Sequence, residues 1–259
     1  MTTLVDSSTS WAYVRDQVRA EVIKVRSARS LWLLPLLAAA LGPVTAIFVG
    51  LTGSMETGDT VLGGALTGAT LALAVVAAWG ALVITTEFSS GTIRPTLSAT
   101  PQRGIILGAK VIVVGSVAAV VGLVSITAAY AVGVATIDST KYAGGEPLPG
   151  LLGIYVCFPA TALLGLATGV ALRSSVGAVG AVTAHVVLPQ LSSATAFGDL
   201  HRWVTVAAPS AVVAKLSQST DGATELIGSL GGWPRLAIVI ACTLSALAMA
   251  HRIIDRADL

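Results

Sequence analysis

Between Asp59 and Glu87 the chain carries no charged residue. Helices of water-soluble folds keep a polar face for solvent, and Val61–Thr86 has none to offer. A helix needs about 20 apolar residues to cross a bilayer, and this stretch suffices. Comparable runs are 31–52, 105–137, 147–172, 174–198 and 231–250. Pro35 and the Gly42-Pro43 pair are expected to kink the first. The third includes Lys110 near its start, expected to snorkel to the interface. Hydrophobic residues make up 54% of the chain and charged ones 11%, against roughly 25% charged in soluble domains. The bilayer therefore has to act as solvent, and the fold class expected is an all-α integral membrane protein with six transmembrane helices.

An even number of spans puts both termini on one side, and Lys and Arg choose that side. With the N-terminus inside, the inner set is Arg15, Arg19, Lys24, Arg26, Arg29, Arg94, Arg103, Lys110, Arg173, Arg252 and Arg256. The outer set is only Lys141, Arg202, Lys215 and Arg235, among the acids Glu56, Asp59, Asp138, Glu146, Asp199, Asp221 and Glu225. The organisation expected is a cytoplasmic N-terminal segment (1–30), a six-span domain (31–252) and a cytoplasmic tail (253–259), in the plasma membrane. Polar sequence precedes the first apolar run, and no small-residue cleavage site follows it, so that run reads as a retained span rather than a signal peptide.

Two segments outside the spans stand out. Trp11, Val14, Val18, Val22 and Val25 recur at helical spacing, with Arg15, Arg19, Lys24 and Arg26 largely off that stripe. A basic amphipathic helix of this kind lies along the inner leaflet, as an anchor or as a surface for a cytoplasmic partner. Between spans five and six, Trp203–Ala214 is apolar but too short to cross, and Pro209 breaks it. It is expected to be a re-entrant or interfacial segment on the outer face. Gly64/Gly68 and Gly165/Gly169 are small-residue pairs at four-residue spacing, read first as packing within the bundle.

Several chemistries find no motif. There is no phosphate loop and no metal-binding spacing, so no cofactor is expected in this chain. A net charge of +2 gives no footprint for nucleic acid. Cys157 and Cys242 lie in apolar runs and read as packing residues. His185 is an intramembrane ionisable group without an acid in the spans to pair with, and reads as a packing histidine before a functional one. Scarce span charges argue against an ion-coupled carrier.

The connection between spans two and three is the richest in polar chemistry. It reads Glu87-x3-Gly91-Thr92-Ile93-Arg94-x2-Leu97-x3-Pro101-x-Arg103-x6-Lys110. Gly91 permits a tight turn, Thr92 is a candidate helix cap, and Arg94 and Arg103 offer planar donor forks to a partner. Pro101 would end a short helix, and Glu87 is placed to pair with one of the arginines or with the N-terminal helix. Pro95 fits only a first turn, so the helix would have to start near Thr92 or Arg94.

This hinge, with the six-span plan, the amphipathic N-terminal helix and the outer segment, resembles the permease family of type-2 ABC exporters along nearly the whole chain. The resemblance implies that 87–104 forms a cytoplasmic coupling helix docking on a separate ATP-binding cassette ATPase subunit. ATP and Mg would reside in that partner, and the chain would be no enzyme on its own. It further implies a homodimer or heterodimer of permeases exporting a hydrophobic or amphipathic compound (an antibiotic, peptide or lipid-like molecule), with antibiotic resistance as one outcome. The alternatives are an ion-driven secondary carrier and a non-transporting membrane scaffold or intramembrane enzyme.

Overall fold

The computed structural model describes residues 7–56, 58–93, 95, 103–191, 205–219 and 228–256, and for 7–12, 103 and 191 the backbone alone. Its helices are α1 (Ser7–Ser27), α2 (Arg29–Thr52), α3 (Val61–Ala65), α4 (Ala69–Ser90), α5 (Arg103–Thr136), α6 (Gly150–Leu172), α7 (Ser175–Leu191), α8 (Pro209–Leu216) and α9 (Gly232–Asp255). Among the described residues the only β-type pairing is an isolated bridge between Thr60 and Ala143. Five helical stretches are long and apolar enough to cross a membrane: Arg29–Thr52, Val61–Ser90, Gly104–Thr136, Gly150–Leu172 and Gly232–Asp255. The chain is thus an all-α, multi-pass membrane protein.

The central pair is α4 and α6, which are buried along most of their length, whereas α2, α5 and α9 turn wide apolar faces outward. Glycine sets how closely the pair approaches. A Cβ on Gly80 would overlap the Ala162 carbonyl, and one on Gly165 would overlap the Ala77 carbonyl. The Gly165/Gly169 pair therefore works inside the bundle, as small residues do where two backbones must meet. Trp79 fills the junction of α4 with α2 and donates its indole N–H to Leu31 O at 2.7 Å.

Neighbouring contacts fix the helix directions. Ser125 donates to Ala38 O at 3.1 Å, and Gly50 abuts Thr136, so α2 and α5 run parallel. Thr127 meets Tyr155 at 2.9 Å and Gly122 abuts Phe158, so α6 runs against α5. Thr243 donates to Ala160 O at 3.2 Å and Gly153 abuts Leu236, so α9 runs with α6. One end of the bundle consequently holds the starts of α2 and α5 and the ends of α4, α6 and α9. We call this end the base, and the opposite end the cap.

Three expectations change. The second apolar run is not one helix: it breaks at Leu66–Gly68 into α3 and α4. The fifth, expected over 174–198, is helical over Ser175–Leu191 and is shorter than the five candidate spans; 192–204 lie outside the described residues. Of the segment before α9, expected to be re-entrant or interfacial, the described helix α8 does not lie on the surface. Every residue of α8 except Lys215 is buried, against α6, α7, α9 and α4. The kink residues Pro35 and Pro43 lie inside the single helix α2.

Candidate functional site

The base is built around four charges from three helices. Lys110, near the start of α5, donates to Glu21 Oε2 at 2.6 Å and to Glu87 Oε1 at 2.7 Å. Lys24 donates to Glu21 Oε1 at 2.8 Å and to Glu87 Oε1 at 2.9 Å. Each lysine therefore bridges both glutamates, and the cluster is neutral in sum. The Lys110 side chain is 1% exposed and that of Glu21 2%, while Lys24 reaches the surface. Buried charges survive only when paired and hydrogen-bonded in this way. Burial works against the Lys24 ammonium, but its hydrogen bonds to Glu21 and Glu87 hold its pKa above the ordinary lysine value.

Local sequence explains how the three helices converge. Ser27 donates its hydroxyl to Lys24 O at 3.0 Å, and Ala28 is extended, with φ −92° and ψ 119°. This short joint separates α1 from α2 and lets α1 pack on α5 as well as on α2. Val14, Val18, Glu21 and Val25 share one helical stripe, and Glu21 and Val25 are buried. At the far side, Gly91 closes α4 with φ 72° and its N–H on Phe88 O at 3.3 Å. No atom lies near its missing Cβ, so the glycine serves the left-handed turn rather than a close approach. Ile93 then drops back into the core and ties down the start of the connection.

Other cations collect at this end. Arg173 closes α6 and lies over the Phe88 ring, 5.7 Å from its centroid, a favourable cation–π geometry. His251 and Asp255 pair at 3.2 Å along α9, and Gly104 of α5 abuts His251. Arg15 and Arg19 pair loosely with Asp16 at 3.5 and 3.9 Å, and both are exposed.

Of the residues singled out in the sequence, Glu87, Lys110 and Lys24 come together. Lys110 does not snorkel: it is buried between two carboxylates, because paired acids were nearer than water. Glu87 does pair with the N-terminal helix. Thr92 meets Ser90 Oγ at 2.9 Å. Arg26 is exposed on α1, and Trp11 and Arg103 lie in helices without described side chains. Arg94 and Pro101 lie outside the described residues, as do 96–102 of the expected coupling helix. The hydrophobic stripe on α1 needs correction too. Val22 is exposed at 38% and Glu21 takes the buried position beside it. Sequence reasoning missed Glu21 because its segment reads as basic; its place in the Val14–Val18–Val25 register was the available signal. These charge pairs lie at the ends of the spans rather than in their interiors.

Outside the base, His185 Nε2 lies 3.1 Å from Ala207 O, so a backbone carbonyl satisfies it. Arg235 lies in the first turn of α9, at the cap; it is buried there, and donates to Thr205 O at 2.5 Å and Leu230 O at 3.0 Å. Cys157 is buried and Cys242 exposed, both as free thiols. Among the described residues no group of His, Cys, Asp and Glu is arranged to hold a metal. No protein-family model matches the chain, and no curated protein does.

Proposed function

We propose that this chain is the membrane subunit of an ATP-driven exporter, coupled through residues 87–104 to a separate ATPase. The observation that carries this reading is the four-charge cluster. It joins the end of α4, the start of α5 and the helix α1 into one base on either side of that connection. A push on the connection would reach both membrane helices and α1 together. Such a rigid-body transfer suits a machine whose energy arrives from a docked partner.

In this reading α7 is the fifth of six spans. It starts beside Arg173 at the base, and its far end lines a cavity with Thr67 and Val213 near the cap. At 1.5 Å per residue its 17 residues reach about 25 Å. The base carries Arg15, Arg19, Lys24, Arg26, Arg29, Lys110, Arg173, Arg252 and Arg256, so it faces the cytoplasm of a plasma membrane with both termini. Two such chains, identical or related, would enclose the pathway for a hydrophobic or amphipathic cargo. The tight, glycine-lined contact of α4 with α6 leaves little room inside one bundle.

A second reading, an ion-driven carrier, draws on one atom. Glu87 Oε2 is buried without a hydrogen-bond partner among the described residues, as a proton-binding carboxylate would be. Its companion oxygen is held by both lysines, and the cluster lies at one end rather than mid-bundle, which favours coupling over carriage. Reconstitution separates the two. The exporter reading expects no ATP hydrolysis by the chain alone and cargo movement only with the ATPase and ATP. Transport by the chain alone, driven by a proton or sodium gradient, would replace it.

A further inference from the structure

The contact between α2 and α5 is close from Ala38 outward. Ser125 bonds to Ala38 O, and Gly42 and Gly50 lie against Ser125 and Thr136. Toward the base the two helices part. A cavity of about 440 Å³ opens sideways between them, at the small end of the roughly 300–1,000 Å³ of ligand pockets. Its walls include Trp32, Leu36, Val120 and Val124, and Val25 of α1 closes its base end. The polar side chain in its lining, Ser116, already donates to Val113 O at 3.1 Å. Apart from that hydroxyl and the Trp32 indole N–H, the interior is apolar.

The mouth is different. Arg29 precedes Trp32 and Leu36 by three and seven residues, so it shares their helical face one turn nearer the base. Arg26 lies in the last turn of α1, at the same end of the bundle. Both arginines are exposed, and neither has an acidic partner among the described residues. An apolar slot with two unneutralised cations at its membrane-surface end matches one molecule in every part: an acyl chain below an anionic headgroup.

We propose that the α2–α5 groove is a binding site for an anionic phospholipid of the leaflet at the base, with one acyl chain between Trp32 and Val124 and its phosphate at Arg26 and Arg29. An acyl chain gains little by leaving surrounding lipid for an apolar groove, so the headgroup must supply the selectivity. Each cation at an anionic lipid surface is worth about fivefold in binding. The site does not depend on the energy source of transport and would exist equally in a carrier or a scaffold.

Trp32 supplies the probe. The full chain is reconstituted in phosphatidylcholine vesicles, with brominated acyl chains carried either by phosphatidylglycerol or by phosphatidylcholine. Emission from Trp32 is obtained by difference against Trp32→Phe. Brominated phosphatidylglycerol should reach half-maximal quenching at a mole fraction at least about fivefold lower than brominated phosphatidylcholine. Arg26→Gln with Arg29→Gln, both exposed and harmless to folding, should merge the two curves. Ala39→Phe, which fills the groove, should merge them with both arginines intact. Coincident curves in the unaltered chain would mean ordinary boundary lipid and overturn the proposal. So would absence of quenching by either lipid with Trp32→Cys cross-linking between copies, which would place a second copy over the groove.

Discussion

The base and the cap hold the same helices by different chemistry. At the base, four charged side chains from α1, α4 and α5 share four hydrogen bonds, the two from Lys110 away from water and the two from Lys24 part-buried. At the cap, apart from Arg235 on two backbone carbonyls, the joints are neutral. Val61 N–H donates to Ala143 O at 2.8 Å, and Leu62 N–H to Gly144 O at 3.3 Å. The Gln218 amide pairs with the Glu146 backbone in both directions, each at 3.2 Å. Gly150 lies against the Leu216 carbonyl, and α8 is wedged behind these loops. Neutral hydrogen bonds contribute about 0.5–1.5 kcal/mol each and fail one at a time. Breaking a buried ion cluster costs more, because the survivors remain charged in a poor solvent. The comparison assigns rigidity to the base and graded opening to the cap, as expected if force enters at the first and cargo leaves at the second.

The largest effect should come from Lys110→Met, which leaves two buried carboxylates sharing one half-exposed lysine. We expect a loss of about 3–5 kcal/mol, read as earlier thermal unfolding in detergent and faster proteolysis near Ser27. Glu21→Gln and Glu87→Gln added to Lys110→Met should recover much of it, since the one ion then left in the cluster is Lys24, which reaches water. Failure of that rescue would mean the charges themselves are not what holds the base.

Arg235→Met tests the buried charge at the cap. It strands the carbonyls of Thr205 and Leu230 and should cost about 2–3 kcal/mol. A loss equal to that of Lys110→Met would erase the asymmetry.

Lys24 comes third, with a cost of about 1–2 kcal/mol for Lys24→Met, because water can partly replace it. Its pKa is raised on folding, so its contribution is complete below the unfolded value of about 10.5 and lost as pH climbs through the folded one. Attachment of α1 should therefore be flat from neutral pH to mildly alkaline and weaken only in strong alkali. Loss near pH 7 would place another titrating group in control.

The smallest effect is expected from Gln218→Gly, because of the turn that Gln218 occupies. It holds φ 58°, a left-handed backbone that disfavours side chains. Gln218→Ala should cost about 1–2 kcal/mol through its lost amide bonds, and Gln218→Gly about 1 kcal/mol less than that by relieving the backbone. Equal effects would mean that the amide, not the turn, sets the cap.

The sequence made the long helices legible, because a charge-free run such as Val61–Thr86 has few other solutions. It blurred their interruptions. The break at Leu66–Gly68 follows from packing, where Gly68 lies against Thr45 and Leu41 of α2, and no local signal separates it from the rest of an apolar run. The base was half legible. Glu87, Lys110 and Lys24 drew notice as polar residues near span ends, yet their contacts join positions 89, 63 and 23 residues apart, a pairing only tertiary structure can make. Glu21 was hidden by its basic neighbours, and Val22 was misassigned because a stripe of valines leaves the phase of a helix uncertain by one position. Burial of Arg235 and α8 was invisible for a similar reason: Arg235 is received by the carbonyls of Thr205 and Leu230, a pairing only the fold makes.

Docking at the connection is the point on which the functional account turns. A photoreactive side chain at position 98 of the full chain in native membranes, followed by identification of what it captures, tests it directly. The account predicts an ATPase bearing a phosphate-binding loop, captured from position 98 and not from position 141 at the cap. Capture of no ATPase from position 98, with cargo transport intact, would contradict it.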